Sequence, residues 1–103
     1  MAISDIELKG SFYYIYDENG KRQKTVSASS VGDLIDFSSE FFIAQRGSFY
    51  YLFDEEGRRF KTLSVSSIGE VISVTGDTFT AQKGSFIHTY DCNGKKINTR
   101  SAR

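Results

Sequence analysis

Apolar residues in this chain fall in short runs that recur on a fixed period. Phe12-Tyr13-Tyr14-Ile15-Tyr16 returns 37 residues later as Phe49-Tyr50-Tyr51-Leu52-Phe53, and again as Phe86-Ile87-His88-Thr89-Tyr90. Each run follows Gly-Ser and ends on Asp. Side chains alternate between the two faces of a strand, so Phe12, Tyr14 and Tyr16 share one face while Tyr13 and Ile15 share the other. Both faces are apolar. No segment shows sustained helical spacing, which predicts an all-β chain.

The pattern predicts four short strands per period. The first, at 11–16, enters the turn Asp17-Glu18-Asn19-Gly20; its copies enter Asp54-Glu55-Glu56-Gly57 and Asp91-Cys92-Asn93-Gly94. Asp at the first position and Gly at the fourth suit a type I turn closed by a positive-φ glycine, a common tight hairpin connection. The second strand covers 21–28, matched by 58–65 and 95–102. A polar corner at 29–32 and 66–69 leads to a third strand at 33–37 and 70–74, and a fourth follows at 40–45 and 77–82.

Aligning 10–46 with 47–83 gives 19 identical positions out of 37. The chain thus divides into a partial unit at 1–9, repeats at 10–46 and 47–83, and a partial repeat at 84–103, all within one repeat domain. Antiparallel four-stranded meanders that are apolar on both faces must be covered on both, as propeller blades are by their neighbours. A β-trefoil-like three-fold repeat is the alternative. The chain supplies about two and three-quarters units, fewer than a propeller ring holds. Closure through a homo-oligomer, with a dimer favoured, is therefore expected. In the third copy Ile87 and Thr89 weaken the apolar pattern, so that unit should have one apolar neighbour fewer.

The stretch from Ala44 through Gly47-Ser48-Phe49-Tyr50-Tyr51 and Asp54-Glu55-Glu56-Gly57 to Arg58 resembles the bacterial WG-repeat pattern. There, a lysine-glycine and an aromatic-rich strand lead into an Asp-x-x-Gly-Lys turn. The defining Trp-Gly pair is absent here. In size and incomplete blade count the chain is also similar to short-blade propeller lectins. These resemblances imply binding and assembly, and they carry over no catalytic site.

The 103 residues suffice for one modest core, and the aromatics are six Tyr and nine Phe with no Trp. No apolar run is long enough to cross a bilayer as a helix, and the N-terminus lacks a signal-peptide pattern. With a single cysteine, Cys92, a cytoplasmic location is expected. Formal charge is zero, with 13 basic and 13 acidic side chains, which disfavours nucleic acid as a partner. Ten of those 13 basic residues nevertheless lie just after the same turn in each unit, and acidic residues just before it. Opposed charges across a hairpin are the plain explanation.

Catalysis finds no support in the sequence. His88 replaces Tyr14 and Tyr51 of the other copies, and no second histidine could share a metal with it. Cys92 stands where the copies have Glu18 and Glu55, which suggests an exposed thiol. The acidic turns carry too few spaced carboxylates for calcium and meet basic residues at once. No enzyme activity, cofactor or metal is expected. The expected function is a structural or protein-interaction module that self-assembles through its repeats, and the alternative is a multivalent carbohydrate- or anion-binding module. The candidate contact residues are Tyr13, Tyr50, Arg22, Arg59 and Lys96, with a second copy, another protein or a glycan as partner.

Overall fold

The computed structural model describes residues 2–101. The last position of the strand expected at 95–102, and basic Arg103, lie outside the described residues. Eleven strands follow in order: β1 (Ile3–Lys9), β2 (Phe12–Asp17), β3 (Arg22–Ser27), β4 (Asp33–Phe37), β5 (Phe41–Arg46), β6 (Phe49–Asp54), β7 (Arg59–Ser64), β8 (Glu70–Thr75), β9 (Thr78–Lys83), β10 (Phe86–Asp91) and β11 (Lys96–Ser101). They form three antiparallel sheets, ordered β1-β2-β3, β4-β5-β6-β7 and β8-β9-β10-β11. Each sheet pairs only within itself.

The sheets are cut at the corner glycines Gly32 and Gly69, so segment 10–46 gives β2 and β3 to the first sheet and β4 and β5 to the second. At those corners the expected irregular link is a single helical turn, α1 (Ala28–Val31) and α2 (Val65–Ile68). One apolar side chain in each turn, Val31 or Ile68, is buried and anchors it. The turn ends on a glycine whose N–H donates back to the first helical carbonyl at 2.8 Å. Gly69 has φ +91°, and a Cβ there would meet the Gln82 carbonyl oxygen at 2.5 Å. Only glycine lets the chain leave one sheet and press this closely on the next.

The aspartate turns form as expected. Asp17, Asp54 and Asp91 each accept two backbone N–H groups on Oδ1, all at 2.9 Å, from the residues two and four positions on. These carboxylates are therefore spent first on the backbone, and among the described residues only Asp54 also meets a cation across its hairpin, Arg58 at 3.4 Å. Among the described residues, ion pairs are confined to Arg58 with Asp54 and Glu56 inside one turn, and to Lys9 with Glu7. Apart from that one pair across the second turn, the charge pattern has a different cause from the one its spacing suggested: acids close the turns, and bases line the outer strands.

Two cores lie between three sheets. The first joins Ile6, Tyr13 and Ile15 with Phe42, Ala44 and Phe53 of the second sheet. The other joins Phe41, Ile43, Tyr50 and Leu52 with Val71, Phe79, Ala81 and Tyr90 of the third. The second sheet is consequently buried on both faces, and Phe41, Phe42, Ile43 and Ala44 are at most 2% exposed. Four successive buried residues on one strand require a layer on each side.

Replacing Gly69 by alanine should cost about 3 kcal/mol, because strained backbone and a carbonyl clash combine there. Gly84→Ala, where φ is also positive but the space is open, should cost about 1 kcal/mol. Urea denaturation of the two variants measures the difference.

Candidate functional site

One group of side chains recurs in all three sheets. The first residue of β2, β6 and β10 is a phenylalanine standing in solvent: Phe12, Phe49 and Phe86 are 46, 46 and 52% exposed. Two residues on, and so on the same face, come Tyr14, Tyr51 and His88. The adjoining outer strand supplies a cation, Arg22, Arg59 or Lys96, just past a register shift in the pairing. That bulge brings the Arg22 guanidinium over the Tyr14 ring at 4.8 Å and Arg59 over Tyr51 at 4.9 Å. Lys9 approaches Tyr14 from the other side at 5.9 Å. A guanidinium resting on a ring keeps its N–H groups free for an incoming acceptor, and the ring face adds attraction.

The third rung differs. His88 lies between Phe86 and Tyr90, with ring centroids 6.4 and 6.2 Å away, and its Nδ1 is 2.9 Å from Thr99 Oγ1. Its pKa is lowered from 6.5, first by desolvation and then by the charges of Lys96 and Lys83. Arg22, Arg59 and Lys96 are thus brought to equivalent exposed positions.

Tyr13 and Tyr50 are placed otherwise than a contact role requires, since both are buried. The Tyr13 hydroxyl donates to the Gly32 carbonyl at 2.9 Å and accepts from the Leu34 N–H at 3.1 Å. Tyr50 repeats this with Gly69 at 2.7 Å and Val71 at 3.3 Å. Each tyrosine reaches from its own sheet to the start of the next one and fastens the crossover. The aromatics that stand in solvent are instead Phe12, Phe49 and Phe86 and, outside that repeating column, Phe60. The signal for Phe12, Phe49 and Phe86 is present in the sequence, where each lies two residues before Tyr14, Tyr51 or His88 and so shares its face.

Cys92 is half-buried, packed against the core between the second and third sheets. Burial, then Asp77 and Asp91, push its thiol pKa up, which opposes the nucleophilic thiolate. Among the described residues no group of three or more His, Cys, Asp or Glu is arranged to hold a metal. No helix there is long and apolar enough to cross a membrane. An open cleft of about 360 Å³ lies between the first two sheets, where Leu8, Ser29, Asp33 and Arg46 meet. Arg46 is tied at its rim by a 3.3 Å bond to the Ser30 carbonyl.

No protein-family model matches the chain, and no curated protein does. Among solved structures, KlHsv2 with loop 6CD replaced by a Gly-Ser linker, a β-propeller-like protein, is similar at a TM-score of 0.57 and 16% identity. The match covers 90% of this chain and 32% of that one, so the chain spans about a third of its neighbour's length. At that identity the likeness concerns fold alone.

Two outcomes check these assignments. Tyr50→Phe should lower stability by about 1–3 kcal/mol, since it strands a buried carbonyl and N–H. For His88, a folded pKa below the unfolded one means that the unfolded chain binds more protons near the two pKa values. Its contribution to stability is then full above about pH 6.5 and declines on acidification. An NMR titration should find a midpoint below 6.5, and Lys96→Ala should raise it.

Proposed function

We propose that this chain is a non-catalytic interaction module of propeller-like blades, which binds a protein partner through the row of rungs along its outer side. The observation that carries the reading is the recurrence, in every sheet, of a solvent-exposed phenylalanine beside an aromatic residue and a cation. Apolar surface left in water at the same place three times is more than isolated exposure requires. Aromatic and arginine side chains supply much of the energy at protein interfaces. The partner suited to such a row offers apolar side chains and carboxylates, which would meet the rings and Arg22, Arg59 and Lys96.

Carbohydrate or small-anion binding is the second reading. The cation in each rung favours it, and three equivalent weak sites would gain from multivalency. The propeller-like description draws on two-sided burial of the second sheet and on the similarity to KlHsv2, which bears on fold only.

Affinity capture with the wild-type chain, followed by titration of the recovered partner, tests the proposal. Each of Phe12→Ala, Phe49→Ala and Phe86→Ala should weaken binding by about 1–2 kcal/mol. Unchanged far-UV circular dichroism would show that the fold is intact. Binding to a glycan array, together with indifference of protein capture to the three changes, would transfer the assignment to the second reading.

A further inference from the structure

Every sheet in this stack has two distinct faces, and the three copies differ in a directional way. On the face turned toward the following sheet, the second sheet carries Phe41, Ile43, Tyr50 and Leu52. The first sheet keeps this character with Ile6, Tyr13 and Ile15. The corresponding residues of the third sheet are Thr78, Thr80, Ile87 and Thr89, so three apolar residues become threonines. The tyrosine that fastens each crossover, Tyr13 or Tyr50, is replaced by Ile87.

Polar links change with them. Asp36 of the second sheet accepts the Val74 N–H of the third at 3.0 Å; its equivalent, Ser73, turns back to Thr80 of its own sheet at 2.6 Å. Gly57 and Gly94 sit in turns that press on Val26 and Leu63 of the preceding sheet, within 2.7 Å of a notional Cβ. In the third sheet that receiving position is Arg100, an exposed cation.

The face turned toward the preceding sheet shows the reverse. The second and third sheets bury Phe42 with Ala44 and Phe79 with Ala81, and these two phenylalanines stack on Phe53 and Tyr90 at 4.8 and 5.2 Å. The first sheet has Asp5 and Glu7 there, both exposed. Glu7 pairs with Lys9 at 3.4 Å and accepts from the Tyr16 hydroxyl at 3.2 Å, while Arg22 and Lys9 cover Tyr14. Gly20, in the turn equivalent to those of Gly57 and Gly94, has nothing within 4 Å of a notional Cβ. The Asp5 side chain also accepts the Ile6 N–H at 2.9 Å on edge strand β1.

From this asymmetry we infer that the two outward faces are finished for water, as the terminal repeats of a repeat array must be, so that a single chain holds its three sheets without a second copy. The strand positions that are apolar where they face a neighbour become polar where they face outward, Asp5 and Glu7 at one end and Thr78, Thr80 and Thr89 at the other, while Phe12, Tyr14, Tyr16 and Ile87 remain beside them. Ring closure or head-to-tail stacking of copies would have to bury Asp5, Glu7, Lys9 and Arg22 against three threonines and Arg100, and the apolar area gained in return is confined to Phe12, Tyr14 and Tyr16 at one end and Ile87 at the other. The self-association expected from the blade count is therefore replaced by a one-chain assembly whose interaction surface is the outer row of rungs. This inference does not depend on which ligand those rungs take.

The test is the mass of the unaltered chain, measured by light scattering after size exclusion and by sedimentation equilibrium from micromolar to near-millimolar concentration. The expected value is that of one chain, 11.6 kDa, throughout. A stable dimer or larger ring would overturn the inference. A second measurement restores both faces in one chain, with Asp5→Phe and Glu7→Ala at one end and Thr80→Ile, Ile87→Tyr and Thr89→Leu at the other. That chain should show mass rising with concentration, and each half-set alone should not. If the combined variant folds by circular dichroism yet stays monomeric, the outward polar residues are not what keeps copies apart, and the inference fails.

Discussion

Stacking sheets from one chain requires a solution to the crossover, where the backbone leaves one sheet and enters the next with its polar groups facing protein. Here a tyrosine hydroxyl supplies it. A hydroxyl donates one bond and accepts others, so Tyr13 and Tyr50 each satisfy a glycine carbonyl and the N–H two residues later, from the neighbouring sheet. The ring that carries the hydroxyl is itself part of the intersheet core. One side chain therefore joins burial to backbone satisfaction, and the angle at which successive sheets meet is held at that point.

The corner glycine and the helical turn are the other half of this joint. Gly32 and Gly69 bring backbone against backbone, and Val31 and Ile68 anchor the turns into the cores on either side of the second sheet. Each joint serves one pair of sheets. Chemistry can then vary at the outer strands, which carry the cations and exposed rings, without disturbing the cores. The placement of the rungs on the outer side follows from this division, since β3, β7 and β11 are edge strands and their alternate side chains meet solvent.

Much of this was legible in particular residues. The Asp-x-x-Gly turns, the strand alternation and the two-sided apolar character of Phe41 to Ala44 announce hairpins and a doubly covered sheet. The rungs were partly legible: Arg22, Arg59 and Lys96 occupy one column of the repeat. Their aromatic companions were harder to sort, because Phe12, Tyr13 and Tyr14 are consecutive and all aromatic. Alternation says that they face opposite ways but not which way is out. That depends on which face a neighbouring sheet covers, and near the outer strands the cover is partial.

By itself the sequence determined the period, the strands, the turns and the all-β class, because these rest on local backbone preferences and on alternation along single strands. Tertiary structure alone decided that the sheets are cut at the corner glycines, that Tyr13 and Tyr50 are fasteners, and that each sheet has a forward and a backward face. Those facts depend on contacts between residues far apart in the chain. The substitutions of Asp5, Glu7, Thr80 and Thr89 read as drift in a repeat until the stack shows that all four face outward.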